Sequence, residues 1–393
     1  MMRSNNAGVS RNEALYTALR TIFAAPGLVG GWYDAYLPTL WDTSTGVEQV
    51  DAAEDPVGLW ADRRLGMALG PELVDTINTA AVWTAYGTNT VEQDGDAIKV
   101  TYSNDAQGAF AYLSAAGGLS SNVEVNKSYR IIYDIKVNSG SCQAAAVNAS
   151  VNANTAVTST SYITQQFTFL ASNASTNYIK FATLSAGEIV WIRNISVKLL
   201  DGNHLSQATA PARPTYRVDA NGRPYIALLG TDDNVTSPTG GGGSAGFFFC
   251  AAIRPTGGAG TVRNIFDDKG ANTGYTVRIN TSNNLVISAG NGVAFTTKAS
   301  TASVSVGTDY VITVFDDGTN LSVQINNGTI ETVARPVVVA GSAGFTIGKA
   351  NTDAADYLIA DVYHMCYAKD TGLTASQRET EKRNAASKIG LVL

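Results

Sequence analysis

The chain has 393 residues, about two and a half times a typical ~150-residue domain, so two or three modules are expected. Charged residues make up 15% and hydrophobic residues 45%, against roughly 25% charged in an ordinary globular protein; this excludes a charge-driven disordered chain and leaves Ser, Thr, Asn and Gly to keep the surface polar. With 27 Lys+Arg against 33 Asp+Glu, a net charge of −6 and no basic cluster, nucleic-acid binding is disfavoured, because phosphate contacts need concentrated positive charge.

Residues 10–24, SRNEALYTALRTIFA, place Leu15, Leu19 and Phe23 at helical spacing, with Ser10 and Glu13 as a capping box and Pro26-Gly27 as the stop. A short N-terminal helix over 1–26 is predicted. Arg20 interrupts the apolar stretch, so a secretory signal is not expected. Residues 27–71 alternate aromatic islands with acidic turns, GGWYDAY, TLWDTSTG and DPVGLWADRRLG. No helical or strand period fits them, and they read as an extended strap whose Trp32, Tyr33, Trp41 and Trp60 pack onto a neighbouring module or subunit. Leu15, Leu19, Phe23 and these four aromatics are the assembly or anchor candidates.

Residues 72–200 read as strands with one buried face each: AIKVTYS, SYRIIYDIKV and NISVKLL alternate apolar and polar residues at period two, as in a β-sandwich. Residues 201–225 hold three prolines and several turn dipeptides and read as a linker. A second sandwich is predicted over 226–393, from strands such as GFFFCAAI, YTVRIN, NLVISA, YVITVF and YLIADVYHMCYA. It ends in a helix opened by the capping box Thr374-Ala-Ser-Gln377 and stopped at Gly390. No apolar run approaches the ~18 residues that cross a bilayer, so no membrane insertion is expected.

Little of this carries catalytic chemistry. The two histidines are His204, in the linker, read as solvated, and His364, two residues from Cys366 and on the same strand face, read as core lining. Cys142, Cys250 and Cys366 are too far apart for a disulfide framework and are expected as buried free thiols. Glycoside hydrolysis needs two carboxylates about 5–10 Å apart, and the three-residue spacing of Glu48, Asp51 and Glu54 does not place them on one strand face. Catalytic residues are therefore expected to be absent. Loop acids Asp232, Asp233, Asp267 and Asp268, with Asp316 and Asp317, are candidates for calcium, the one cofactor in view, although turn chemistry explains them equally. Sugar binding would need exposed aromatics; Tyr86, Tyr102, Tyr112, Tyr162 and Tyr178 supply candidates without selecting a face.

The segments GTDDNVTSP, AGFFFCAAIRP, YVITVFDDGTNLSVQINNG and GFTIGKANTDAADYLIADVYHMCYAKDTGLTASQRE resemble a concanavalin A-like or laminin-G-like jelly roll. GPELV, SYRIIYDIKV and IRNISVKLL resemble galactose-binding-like, carbohydrate-binding jelly rolls. The aromatic strap, followed by ATAPARPTYRVDANGRPYIALLGTDD and such a module, resembles an arrangement found in structural proteins of tailed bacteriophages. The resemblance implies a mainly β fold, with two antiparallel jelly-roll β-sandwiches in tandem. It further implies a non-enzymatic virion surface protein, made in the bacterial host cytoplasm and serving as head decoration, head fibre or tail appendage. Its expected partners are major capsid or tail proteins, other copies of itself, with a trimer as the expected assembly, and host-surface glycans. A receptor-binding tail fibre selecting host glycans is the first alternative, and a polysaccharide-degrading enzyme the disfavoured second.

Overall fold

A computed structural model describes residues 29–393 other than 36–39, 43–48, 64–68, 75–78, 86–87, 104–108, 115–118, 121–122, 126, 148–155, 172–177, 184–187, 201, 231, 238–240, 242, 343, 351–355 and 370–372. The expected helix at 10–24, with Leu15, Leu19 and Phe23, lies outside the described residues. The fold is mainly β, with antiparallel sheets paired as sandwiches and, among the described residues, one α-helix near the C-terminus. Two compact units are resolved: one takes residues 1–42, 49–67 and 202–393, the other 43–48 and 68–201.

In the smaller unit, a six-stranded sheet is ordered Ile163–Leu170, Ser128–Val137, Ile189–Leu200, Ala97–Thr101 and Thr90–Asp94, with Leu69–Glu72 also paired to Ile189–Leu200. Its partner sheet holds Cys142–Val147, Tyr178–Thr183, Ala109–Ser114 and Thr84–Ala85. The period-two pattern is realised residue by residue: Tyr129, Ile131, Tyr133, Ile135 and Val137 face inward, and the residues between them face the other way. Tyr133 sits edge-on to both Phe167 and Phe181, which fixes how the two sheets seat.

In the larger unit, the order in one sheet is Thr215–Val218, Pro224–Leu229, Ile359–Lys369, Phe247–Pro255, Tyr310–Asp316, Asn320–Ile325 and Glu331–Ala334. Phe247, Phe249, Ala251 and Ile253 enter the sandwich core, whereas Phe248, Cys250 and Ala252 face the helix α1 (Ala375–Lys388). The run GFFFCAAI is apolar throughout because both of its faces are covered. Helix α1 opens with the expected capping box, Thr374 and Gln377 each bonding the other's backbone. It is mostly polar, as read, yet its inner side is buried down to Glu381, Lys382, Asn384, Ala385 and Ala386.

Residues 27–42 and 49–67 of the aromatic strap are part of this unit, whereas its end, from Leu69, pairs in the smaller one. Val29–Asp34 pairs with the second half of Ile359–Lys369, in register from Val29 opposite Lys369 to Asp34 opposite His364, while Pro224–Leu229 pairs with the first half. The facing sheet is ordered Leu40–Trp41, Leu59–Trp60, Leu205–Ser206, Val235–Ser237, Phe345–Ile347, Arg263–Asp267, Thr273–Ile279, Asn284–Asn291 and Phe295–Ser303, so the strap supplies its first two strands. Trp32, Tyr33, Trp41 and Trp60 are all buried within the chain itself. Trp60 donates its indole N–H to the carbonyl of Asp34 at 2.9 Å and meets the Tyr33 ring edge-on. Gly31 is required where it stands, since a β-carbon there would meet the rings of Tyr33 and Tyr367. The segment expected as a linker likewise contributes strands, Leu205–Ser206 and Thr215–Val218, because backbone hydrogen bonding to the strap and to its neighbours satisfies it. His204 is accordingly buried rather than solvated, accepting the Asp62 amide at Nδ1 (3.1 Å).

If the strap is integral, Trp60→Ala will destabilise the larger unit by about 3–5 kcal/mol, the usual loss for a buried aromatic, in chemical denaturation. A change under about 1 kcal/mol, as on a surface, would show that the strap merely rests on the sandwich.

Candidate functional site

The outward face of the six-stranded sheet in the smaller unit carries two half-buried aromatics, Trp191 and Tyr162. Alternation in IVWIRNISVKLL buries Val190 and Ile192 and turns Trp191 and Arg193 outward, beside Lys136 and Asp134 of the neighbouring strand. A bulge between Arg193 and Ser196 inserts an extra residue, and Asn194 takes a left-handed φ of 50° there. The bulge re-aims Asn194 so that its amide donates to Asp134 Oδ2 at 2.7 Å.

Around this bulge the polar groups form one network. Thr164 donates to Asp134 Oδ1 at 2.6 Å, Arg193 donates to Asp96 at 2.9 Å, and the Trp191 indole N–H donates to Asp94 at 2.8 Å. The hydrogen bond from Thr164, partly opposed by burial and helped by Asn194 and Arg193, holds the Asp134 carboxyl below its ordinary range. Lys136 Nζ is 4.7 Å from the ring centres of both Tyr162 and Trp191, and the Arg193 guanidinium lies 3.9 Å from that of Tyr162. Two cations and two aromatic rings are thus interleaved on a half-exposed surface. Such a surface offers apolar ring area, fixed donors and fixed acceptors together, the combination that recognises sugars. Of the five tyrosine candidates, Tyr162 lies in this face and Tyr102 is buried; Tyr86 and the side chains of Tyr112 and Tyr178 lie outside the described residues. Trp191 was not singled out from sequence, although its alternation with Val190 and Ile192 carries the signal.

In the larger unit, a groove of about 520 Å³ is lined by residues including Ser300, Thr301, Gln324, Thr329 and Glu331 and has no aromatic side chain. Its carboxylate is already engaged: Glu331 accepts the Thr301 amide and hydroxyl and pairs with Lys298. Elsewhere, Asp219 is bound by Arg223, Asp309 by Arg254 and Arg223, and both arginines lie over the Tyr363 ring. Burial, only partly offset by Arg254 and Arg217, pushes the Asp361 carboxyl up to about 6. A raised acid beside other carboxylates is the signature to seek in a glycosidase, but Asp219 and Asp309 are held by arginines. Glu54, from the acidic turn of the strap, is spent on Arg217 at 2.8 Å.

Among the described residues, the one grouping of three or more potential metal ligands is His364, Cys366 and Glu381, within 4.8 Å of one another. His364 is fully buried, with Nδ1 2.6 Å from Asp34 and Nε2 2.7 Å from Glu381. Burial opposes its charge, yet these two carboxylates raise it to about 9. Both ring nitrogens therefore carry protons toward acids, which leaves no lone pair for a metal. Sequence placed His364 beside Cys366 and missed Asp34 and Glu381. The calcium candidates do not converge either: Asp233 is buried and accepts the Leu229 amide, Asp267 accepts the Lys269 amide, and Asp268 pairs with Lys369. Asp232 lies beside Asp233 and is half-buried. Asp316 binds Arg335, and Asp317 caps the turn to Asn320. Cys142, Cys250 and Cys366 are buried free thiols, as expected.

No protein-family model matches the sequence, and no curated protein matches it. Among solved structures, the chain is similar to the CBM22-1–CBM22-2 tandem domain of Paenibacillus barcinonensis Xyn10C (10% identity, 81% of this chain and 100% of that one, TM-score 0.30). It is also similar to botulinum neurotoxin type C, described as entering cells through two ganglioside molecules (15%, 46% and 48%, TM-score 0.34). A third is the binding domain of botulinum neurotoxin DC in complex with rat synaptotagmin II (14%, 46% and 49%, TM-score 0.35). The chain thus spans about half of the length of the neurotoxin chains.

Two pH effects follow, both lowering stability as pH rises. His364 has a folded value near 9 against an ordinary 6.5, so it contributes stability that is complete below about pH 6.5 and lost as pH rises through 9, worth about 3 kcal/mol. Unfolding free energies of wild type and His364→Gln at pH 6 and 9.5 should show that loss only in wild type; equal pH dependence would refute the charged imidazole. Asp361 sits near 6 against 3.8, so its ionisation costs about 2–3 kcal/mol above pH 6 and nothing below about pH 4. Asp361→Asn should raise the melting temperature at pH 7.5 and leave it unchanged at pH 4; a loss of stability at pH 7.5 would contradict the burial penalty.

Proposed function

We propose that this chain is a non-enzymatic glycan-binding display protein whose binding face is the outward surface of the smaller unit's six-stranded sheet. The observation that carries this reading is the interleaving of Trp191 and Tyr162 with Lys136 and Arg193. Ring faces pack against the apolar side of a pyranose, while the lysine, the guanidinium and the Asp134–Asn194 pair supply hydrogen bonds to its hydroxyls. A flat, prearranged face loses little conformational entropy on binding. Each contact is weak, and adhesion would come from many copies acting through effective concentration.

The finer placement, on the surface of a tailed-phage particle as head decoration, head fibre or tail appendage, rests on the resemblance of the strap and the C-terminal sandwich. Because Trp32, Tyr33, Trp41 and Trp60 are buried in the larger unit, attachment through the N-terminal region falls to residues 1–28, including Leu15, Leu19 and Phe23.

Binding of the purified full chain to a panel of bacterial envelope polysaccharides, read by calorimetry and glycan array, tests the proposal. Wild type should bind at least one glycan with a Kd near the millimolar range, about 4 kcal/mol, and Trp191→Ala should weaken it at least tenfold without changing the melting temperature by more than a few degrees. Binding unchanged in Trp191→Ala and Tyr162→Ala, or no binding to any envelope glycan, would sink it.

A further inference from the structure

The core of the larger unit contains a charged pair that hydrophobic packing does not explain. Lys369, the last residue of Ile359–Lys369, and Asp268, which follows Arg263–Asp267 in the opposite sheet, are both completely buried, and Lys369 Nζ is in direct contact with Asp268 Oδ2. Three aromatic rings enclose the ammonium, with the centres of Phe247, Phe266 and Tyr275 at 5.9, 5.5 and 5.7 Å. Asp268 is fixed on its other side. Its Oδ1 accepts the Tyr275 amide at 2.6 Å, and its own carbonyl accepts the Ser342 amide at 2.8 Å and hydroxyl at 3.0 Å. Gly274, at a φ of 76°, lets the backbone approach so closely that a β-carbon would meet Asp268 Oδ1 at 2.7 Å.

We propose that Lys369 and Asp268 are joined by an intramolecular isopeptide bond that forms spontaneously once the sandwich has folded. In a dry aromatic cage both charges are penalised, and transfer of one proton from the ammonium to the carboxylate yields a neutral amine beside a neutral carboxylic acid. The Nζ lone pair attacks Asp268 Cγ, and the Tyr275 amide receives the charge developing on Oδ1, as an oxyanion donor does. The C–Oδ2 bond then breaks, the hydroxyl leaves with one amine proton as water, and an amide remains. One C–N bond forms, one C–O bond breaks, nothing is oxidised or reduced, and no further reactant is needed. Holding the amine and carboxyl in contact replaces a bimolecular condensation by a unimolecular one. The product links the two sheets across a separation of 101 residues.

The test is the intact mass of the full chain under denaturing conditions, compared with Lys369→Arg, which keeps a buried cation that cannot form the amide. Wild type should be lighter by one water than its sequence requires and Lys369→Arg should match its own sequence, the comparison cancelling N-terminal processing. Proteolytic fragments of wild type should include one branched peptide carrying both Lys369 and Asp268. A wild-type mass equal to that of the sequence would overturn the proposal, leaving a buried ion pair. So would a deficit that persists in Lys369→Arg, which would place the dehydration elsewhere, or a deficit with unbranched peptides.

Discussion

One imidazolium ties together three segments that are remote in the chain. Asp34 comes from the strap, His364 from Ile359–Lys369 and Glu381 from α1, and all three side chains are buried. A lone charge in that position would neutralise itself; two carboxylates at hydrogen-bond distance keep it. Asp34 is in turn held well below the usual carboxylate range: burial works against its charge, and Lys388, His364 and Arg63 more than compensate. Removing His364 would leave the buried Glu381 without its cationic partner, which costs several kcal/mol. The strap, the central strand and the helix therefore hold their positions together.

The parts of this arrangement that sequence reveals are those set by neighbours in sequence. The period of two in SYRIIYDIKV gives a half-buried strand because every second side chain faces one way, and the structure has that burial pattern without exception. The Thr374–Gln377 capping box closes within four residues and is equally legible. The strap is different. Its strands Leu40–Trp41 and Leu59–Trp60 are two residues long, too short for any period, and Val29–Asp34 finds its partner at least 330 positions away. Aromatic content signalled burial there without saying against what. For the proposed binding face, Tyr162 is among the tyrosines the sequence offers, but its gathering with Trp191 around Lys136 depends on how Ile163–Leu170 and Ile189–Leu200 flank Ser128–Val137. The bulge at Asn194 carries no sequence mark beyond an Asn that tolerates positive φ.

The two units use charge differently, and the contrast bears on binding against catalysis. On the smaller unit's outer face, charges are partly solvated and interlocked with aromatic rings, so a ligand can exchange hydrogen bonds with them at low desolvation cost. In the larger unit Asp219 and Asp309 are paired with arginines, Glu331 is paired with Lys298, and Asp361 is withdrawn from solvent. A catalytic carboxylate must be able to take up or release a proton at the reacting atom, which an acid fixed by arginines does poorly.

The buried charges of Ile359–Lys369 also define its register. His364 faces the helix and Lys369 faces the sandwich interior, on opposite sides of one strand. Because side chains alternate at period two, a slip of one residue would exchange every face. The apolar residues would tolerate such an exchange, since both faces of this strand are buried and Ala and Tyr occur on each of them. His364 and Lys369 would not, because each would enter an apolar layer away from its acid, at a cost far above that of repacking. In a strand that is apolar on both sides, hydrophobicity fixes the fact of burial and the two charges fix the alignment. Every edge of the larger unit that pairs with this strand, strap included, inherits its position from them.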